Sequence, residues 1–233
     1  MGFGSALVIF AHPDDAEFMC GGTVAKWAKE GTAVHYCVVT DGSAGSNEPG
    51  LTREQIAAPR RPEQEAAAGV FGVQSITWLG FRDGELEVNL ETRRAVTATV
   101  RRIRPDVLLA PDPSQLWTAD RYINHSDHVA AGRLALCAVM PDAPSRPQFP
   151  ELLDQGLEPF EIPNLWLSSE NGGTYVDITD TIDLKLQAIA KHESQHLDDA
   201  DEWIRERARE YGGRIGVDYA EAFRSFNLQD EDD

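Results

Sequence analysis

The sequence predicts one α/β domain with a mostly parallel β-sheet and helices on both of its faces. Short β-type apolar runs alternate with helix-type segments, and 42% of the 233 residues are apolar, which suits one sizeable core. This alternation is typical of parallel sheets, in which each crossover is usually a helix. We expect one domain over residues 1–226 and a frayed acidic tail over 227–233.

Each predicted element has its own signal in the sequence. Runs of aliphatic and β-branched residues mark the strands, whereas helical spacing of apolar residues marks the helices. The predicted strands are SALVIF, AVHYCVV, SITWLG, DVLLA, NLWLS and TYVDI. The predicted helices cover residues 17–30, 63–71, 92–103, 128–139 and 182–210. This order predicts a Rossmann-like arrangement, which binds ligands at the carboxyl edge of its sheet.

Charge and cysteine content exclude several classes of function. The net charge is -18 and no Lys/Arg cluster forms a basic patch, which disfavours nucleic acid and anionic membranes as partners. No apolar stretch approaches the ~20 residues that span a bilayer. Cys20, Cys37 and Cys137 are odd in number and lack CxxC spacing, so neither a disulfide framework nor a thiolate zinc site is indicated. We expect a cytoplasmic protein with a small-molecule substrate, and the sequence is compatible with a homo-oligomer.

The first predicted strand ends in a histidine and two adjacent aspartates. His12 and Asp15 are three residues apart, so a tight turn could direct both side chains to one cation while Asp14 points elsewhere. One aspartate would then bind metal and the other would be free to take a proton from water. Alternatively, Asp14 or Asp15 only caps the first helix, with Glu17 in its first turn.

A second polar cluster, YINHSDHVAAG, follows the fourth predicted strand. His125 and His128 flank Asp127 and should arrive at the same edge of the sheet. A third ligand from this cluster would complete a His/Asp/His set with an open position, as expected of catalytic zinc. Two clusters that converge on one edge favour a metal site over simple helix capping.

These stretches resemble the signatures of a known enzyme family. AHPDDAE resembles the HPDD-x-E signature of LmbE-like, or PIG-L, zinc-dependent N-deacetylases, and NHSDHVAAG resembles their H-x-D-H motif. The resemblance continues in order through VTDGSAG, RRPEQEAAAGVFGV, LGFRDGEL, KHESQ and YAEAF. Ser126 stands where proline is frequent in the family, and it touches no presumed ligand.

The resemblance implies a role for each matching residue. His12, Asp15 and His128 would bind one Zn2+ per chain, although such a donor set also accepts iron(II), cobalt or manganese. Asp14 would act as general base, and His125 would protonate the leaving amine or steady the oxyanion. The implied reaction is hydrolysis of an N-acetyl group from an N-acetylglucosamine-type sugar or glucosaminyl conjugate.

Further residues support this site in the same interpretation. Asp127, which would fix a histidine tautomer, and Glu17 would lie behind the ligands. Arg60 would bind substrate, with an ordinary pairing to Glu63 as its alternative, and the remaining candidate substrate contacts are Asp41 and Asp83. Two long Gly/Pro-rich loops, 43–61 and 141–163, are expected to select the substrate and to order on binding.

Two other functions remain open at this point. The segment His192-Glu193-Ser194-Gln195-His196 satisfies the H-E-x-x-H pattern of zinc metalloproteases, although the extended H-x-x-G-x-x-H continuation is absent. A non-catalytic Rossmann-like binding protein is the other alternative. Against it, every expected catalytic position is occupied, including Asp14, which a structural metal site would not need.

Overall fold

The computed structural model describes residues 2–118, 122–197 and 200–229. Its strands are β1 (Ser5–Phe10), β2 (Ala33–Thr40), β3 (Ser75–Phe81), β4 (Val107–Pro111), β5 (Trp117–Thr118), β6 (Tyr122–Ile123), β7 (Asn164–Ser168), β8 (Thr174–Asp177) and β9 (Ala220–Asn227). The main sheet has the order β3-β2-β1-β4-β7-β9-β8, while β5 and β6 pair separately. The neighbours from β3 to β7 are all parallel, and β9 runs antiparallel to both β7 and β8. The predicted mostly parallel sheet is confirmed.

Helices cover both faces of this sheet. They are α1 (Asp15–Lys29), α2 (Arg53–Phe71), α3 (Leu90–Ile103), α4 (Ser126–Cys137), α5 (Ile182–Ile189) and α6 (Ala200–Gly213). The central strand β1 shows the two faces: Leu7 and Ile9 pack with α3 and α4, whereas Val8 and Phe10 pack with α1 and α2. In the part of the chain described, none of the helices has the length and hydropathy needed to cross a membrane.

The strand order places a switch point between β1 and β4. From β1 the chain adds β2 and β3 on one side, and then returns to add β4 and β7 on the other. The connections that follow β1 and β4 therefore leave the sheet in opposite directions and open a crevice at its carboxyl edge. The two polar clusters of the sequence lie at this crevice.

Helix α2 corrects the prediction of a loop over 43–61. The helix begins at Arg53, ten residues before the predicted start, because Thr52 and Gln55 form a capping box. Pro59 and Pro62 lie inside the helix and remove two backbone donors. Because proline disfavours the interior of a helix, the sequence predicted a loop here. Burial of the later part of α2 against the core outweighs this cost.

The C-terminal part departs from its prediction in two ways. The single helix expected over 182–210 is wrong: α5 ends at Ile189, a short 3-10 turn covers Glu193–Gln195, and α6 starts at Ala200. The chain leaves the helix there because the His192 side chain turns fully into the interior. Strand β9 was not predicted, and it extends one residue into the proposed tail, of which residues 230–233 lie outside the described part.

A buried ion pair joins the two parts of α1. The helix is interrupted at Cys20, whose φ is -151°. Lys185 donates to the Phe18 carbonyl at 2.9 Å, at the end of the first part, and Glu221 accepts from the Gly22 N–H at 3.0 Å, at the start of the second. Lys185 Nζ and Glu221 Oε1 are 2.6 Å apart and nearly inaccessible. The pair therefore satisfies backbone groups that the break would leave without partners.

Replacing Lys185 with methionine should lower the free energy of unfolding by about 3 to 5 kcal/mol, because Glu221 would stay buried without its cation. Urea denaturation followed by circular dichroism measures this difference. Lys191→Met, an exposed lysine just after α5, is the matched control and should change the midpoint little. Equal midpoints for the two variants would contradict the structural role of the pair.

Candidate active site

The three predicted metal ligands lie together at the carboxyl edge of the sheet. His128 Nε2 is 3.2 Å from His12 Nδ1 and 3.1 Å from Asp15 Oδ1, and Asp15 Oδ2 is 3.5 Å from His12 Nδ1. One donor atom from each side chain lies within 4.8 Å of the others. His12 and Asp15 are buried, and His128 is half-buried, so a single cation could contact all three.

Asp14 occupies the N-cap position of α1 but does not cap the helix. Its φ is 105°, a left-handed conformation that strains a non-glycine residue, and among the described residues its side chain accepts no capping hydrogen bond. Asp15 instead accepts the His12 backbone N–H at 2.8 Å through Oδ2. The adjacent aspartates are thus separated in direction, and the capping alternative does not account for Asp14.

Two side chains of α2 hold Asp14 in this conformation. Arg60 Nη2 lies 2.9 Å from Asp14 Oδ2, and Gln64 Oε1 accepts the Asp14 backbone N–H at 2.8 Å. Arg60 is only 3% exposed and pairs with Asp14 rather than with Glu63. The loop after β2 wraps the guanidinium closely: Gly42 has a φ of 67°, and a Cβ there would lie 2.9 Å from Arg60.

A buried chain of polar side chains extends from Asp14 to the C-terminal region. Gln64 donates to Glu17 Oε1 at 2.9 Å, and Glu17 Oε2 lies 3.3 Å from His192 Nε2. Glu17 and His192 are both inaccessible to solvent. The metalloprotease interpretation is wrong, because His192 precedes a 3-10 turn and His196 ends it, so the two do not share a helical face.

The surroundings of His12 stabilise positive charge. Nε2 of His12 is 3.0 Å from Asp83 Oδ1 and 3.3 Å from Asp127 Oδ2. Although burial lowers the pKa of His12, the charge of Asp15 and hydrogen bonds to Asp127, Asp15 and Asp83 raise it to about 12. With Nδ1 facing Asp15 and His128, the ring would ligate through Nδ1 and donate its other N–H to a carboxylate. The donor set and its carboxylates therefore fit a divalent cation.

The histidines of the second cluster are oriented by hydrogen bonds. His128 Nδ1 lies 2.9 Å from Asn124 Oδ1, which leaves Nε2 directed at the ligand group. His125 caps α4, with Nδ1 accepting the Asp127 backbone N–H at 3.1 Å. Neutral His125 therefore carries its proton on Nε2. Burial and the charge of His12 both lower the pKa of His125, which favours this neutral form.

A second group of three side chains also lies close enough together to hold a metal ion. His12, His125 and Asp127 each offer one atom within 4.8 Å of the others. Asp127, however, already accepts the Gly84 N–H at 2.7 Å, and His125 uses one nitrogen as a helix cap. Both oxygens of Asp127 accept hydrogen bonds from outside the group, since the Ser126 hydroxyl contacts the other one, whereas Asp15 Oδ1 faces only His128 among the described residues. The first group is therefore the better candidate for the metal.

Burial and the charge of Asp15 raise the pKa of Asp14 to about 7, whereas the charge of Arg60 lowers it. The Asp14 side chain remains 14% exposed. A carboxyl group with such a pKa can take up and release a proton near neutral pH. Its direction away from the helix backbone leaves it available for that exchange.

The remaining predicted substrate residues have contacts within the protein. Asp41 Oδ1 accepts the Ser43 and Asp83 backbone N–H groups at 3.0 and 3.1 Å. Asp83 Oδ2 accepts the Ala44 N–H at 2.9 Å, while its other oxygen contacts His12. These contacts order the loops around the ligand group. Substrate binding by Asp41, Asp83 or Arg60 stays a prediction.

A cavity of about 530 Å³ opens from Asp15 and His128 towards α6. Its walls come from α1, the residues after β4, strand β6, the start of α4, the segment after β7, and α6. Within the described ranges, no lining residue belongs to 43–61 or 141–163. The expectation that those loops select the substrate is therefore not supported by the lining of this cavity.

Comparison with known proteins identifies the family. The family model for PIG-L, described as GlcNAc-PI de-N-acetylase, matches residues 7–139. The chain belongs to the PIG-L family. Diacetylchitobiose deacetylase of Thermococcus kodakarensis is 35% identical to this PIG-L chain over 224 residues, covering 94% of this chain and 81% of that protein.

Two further relatives extend the comparison. The solved structure of N,N'-diacetylchitobiose deacetylase from Pyrococcus horikoshii, with its inhibitor MPG, has a TM-score of 0.88 at 36% identity, covering 97% of this PIG-L chain and 84% of that one. A probable N-acetyl-alpha-D-glucosaminyl L-malate deacetylase 2 of Bacillus anthracis is 27% identical, covering 86% of this chain and 85% of that protein. The predicted family and fold are confirmed.

Several residues that organise the PIG-L site were missed by sequence reasoning. Gln64 lies within the quoted stretch RRPEQEAAAGVFGV, yet nothing local marks it as a partner of Asp14. Asn124 directly precedes the second histidine motif, where an oriented ligand could have been expected. His192 belongs to the H-E-x-x-H pattern, but the fold does not place that pattern on a helix, and its contact with Glu17 has no signal in the sequence.

Proposed function

We propose that this protein is a zinc-dependent N-deacetylase that hydrolyses the acetamido group of an N-acetylglucosamine-type sugar or conjugate. The observation that carries the proposal is an uncapped carboxylate, Asp14, held beside a group of two imidazoles and one carboxylate. The named relatives act on diacetylchitobiose and, for the Bacillus anthracis protein, on an N-acetylglucosaminyl malate. A purely structural metal site would not require Asp14.

His12, Asp15 and His128 would hold the metal. Such a set is typical of catalytic zinc, with three protein ligands and an open position. When bound, the metal would lower the pKa of a water molecule to about 7 and polarise the acetyl carbonyl. Iron(II), cobalt and manganese also bind to two imidazoles and a carboxylate. The donor set alone therefore does not select zinc, and the identity of the metal belongs to the proposal.

The chain's own residues account for the proton movements. Asp14 takes the proton of the attacking water, while Arg60 keeps its carboxylate in place. The Nε2–H of His125 donates to the carbonyl oxygen as that atom gains negative charge. When the C–N bond breaks, the proton on Asp14 is available to the leaving nitrogen. The products are acetate and the free amine.

Purified protein should contain about one zinc per chain and release amine from N-acetylglucosamine compounds. Removing the metal with a chelator should abolish amine release, and adding zinc back should restore it. Elemental analysis and an amine assay on the same preparations measure both effects. Amine release that survives complete metal removal would contradict the proposal.

A further inference from the structure

The cavity beside the metal ligands has an aromatic wall. Phe18 of α1 and Trp203 of α6 are stacked, with ring centroids 5.7 Å apart and planes inclined by 10°. Both rings line the cavity, and Trp203 remains 45% exposed. The exposed face of Trp203 is a large aromatic surface that is well suited to contact the flat apolar face of a ligand.

Polar side chains line the rest of the cavity. Asp112 is 3% exposed, and its Oδ1 accepts both the backbone N–H and the hydroxyl of Ser114, at 2.9 and 2.6 Å. Its other oxygen has no hydrogen-bond partner among the residues that the structure describes. Glu170 and Arg207 form an ion pair that links the segment after β7 to α6. The second Asp112 oxygen is itself inaccessible to solvent. The cavity therefore combines an aromatic surface with an accessible carboxylate, Glu170, that can accept hydroxyl hydrogen bonds.

The charges of the lining disfavour an anionic ligand. Away from the proposed metal ligands, Asp112 and Glu170 contribute carboxylates, and Arg207 contributes one guanidinium, which already pairs with Glu170. An anionic group beside Asp112 would therefore meet a buried negative charge that Arg207 does not balance. A neutral ring that carries hydroxyl groups could instead donate a hydrogen bond to Glu170.

We propose that this cavity binds a second, uncharged pyranose ring of an N-acetylglucosamine oligosaccharide, with Trp203 as its stacking surface. The proposal rests on the proposed function, because the acetamido group of the first ring must lie at His12, Asp15 and His128. Trp203 is then a specificity-determining residue that contacts the ring next to the one being deacetylated. The volume of about 530 Å³ falls within the range of ~300–1,000 Å³ of small-molecule sites.

Binding is tested separately from catalysis. In calorimetric titrations with diacetylchitobiose, carried out in the Asp14→Asn background so that the sugar is not hydrolysed, Trp203→Ala should weaken binding about tenfold, and Trp203→Tyr should retain most of it. In amine-release assays, Trp203→Ala should raise KM for diacetylchitobiose by a similar factor while kcat, and KM for the monosaccharide N-acetylglucosamine, stay unchanged. Arg205→Ala is the matched control, since Arg205 lies on α6 but pairs with Asp183. Thermal unfolding and metal content confirm that each variant is folded and loaded.

The outcomes separate the two proposals. If Trp203→Ala affects the mono- and disaccharide equally, or leaves disaccharide binding unchanged, the second-ring site is wrong even though the protein deacetylates. Tighter binding of N-acetylglucosaminyl malate than of diacetylchitobiose would also overturn it. If disaccharide binding depends on Trp203 but no N-acetylglucosamine compound yields amine, the binding site stands and the proposed function fails.

Discussion

His12→Ala is expected to abolish both metal binding and amine release. His12 contributes one of three donors that lie within 4.8 Å of one another, and its ring also contacts the carboxylates of Asp83 and Asp127. Without the ring, the site loses a ligand and leaves those carboxylates facing each other with less compensation. Elemental analysis of the purified variant, with the amine assay beside it, measures the effect.

His196→Ala is the matched control for this experiment. It removes the same side chain from an exposed position at the end of a 3-10 turn. Metal content and activity should stay at the level of the unmodified protein. Zinc retained in the His12 variant and lost in the His196 variant would move the metal site to the C-terminal region and reverse the assignment.

Asp14→Asn should keep the metal and lower kcat by about 10²- to 10⁴-fold. The amide is nearly isosteric with the carboxylate, so its oxygen can still accept the hydrogen bond from Arg60, but it cannot take a proton from water. Asp14 does not belong to the group of three donors, so KM and metal content should change little. Steady-state kinetics with elemental analysis separate these quantities.

Asp201→Asn, an exposed change on α6, serves as the control and should leave turnover unaltered. Near-normal turnover in Asp14→Asn would exclude Asp14 as the general base. Loss of metal in that variant would instead show that Asp14 is a ligand. The two results would therefore correct different parts of the assignment.

Features that depend on local pattern were predictable from the sequence. The strands from SALVIF to DVLLA appear close to their predicted bounds: β1, β2 and β4 bury apolar runs, and the edge strand β3 is partly buried. The ligand group also follows from local information, since two polar clusters at the ends of parallel strands must meet at one edge. The proximity of His12, Asp15 and His128 is thus a consequence of the sheet topology.

Features that depend on distant contacts were not predictable. Strand β9 is buried only in its first half, and its exposed polar residues hide the pattern of a strand. The helix expected over 182–210 breaks where His192 reaches Glu17, 175 positions earlier. The helical spacing of apolar residues continues through the region where the helix breaks. This spacing carries no information on which distant side chain His192 will contact.

The supports of Asp14 show the same limitation. Arg60 and Gln64 contact Asp14 although they lie 46 and 50 positions further along the chain. Similarly, nothing in the sequence indicated that α6 would line the cavity beside His128, and substrate selection by the long loops stays a prediction. Loop length measures only how little a segment is constrained locally, whereas the position of a helix depends on the whole fold.

Because α1 is interrupted, the direction of the turn that carries His12 and Asp15 depends on residues from both ends of the chain. The family match stops at residue 139, and a fragment that stops there would contain every proposed ligand. It would still lack Lys185 and Glu221, which hold the two parts of α1 in line. The HPDD motif would consequently not be sufficient if it were transferred to another protein. Without Lys185 and Glu221, the same donor side chains would precede a helix whose two parts have no fixed relative direction.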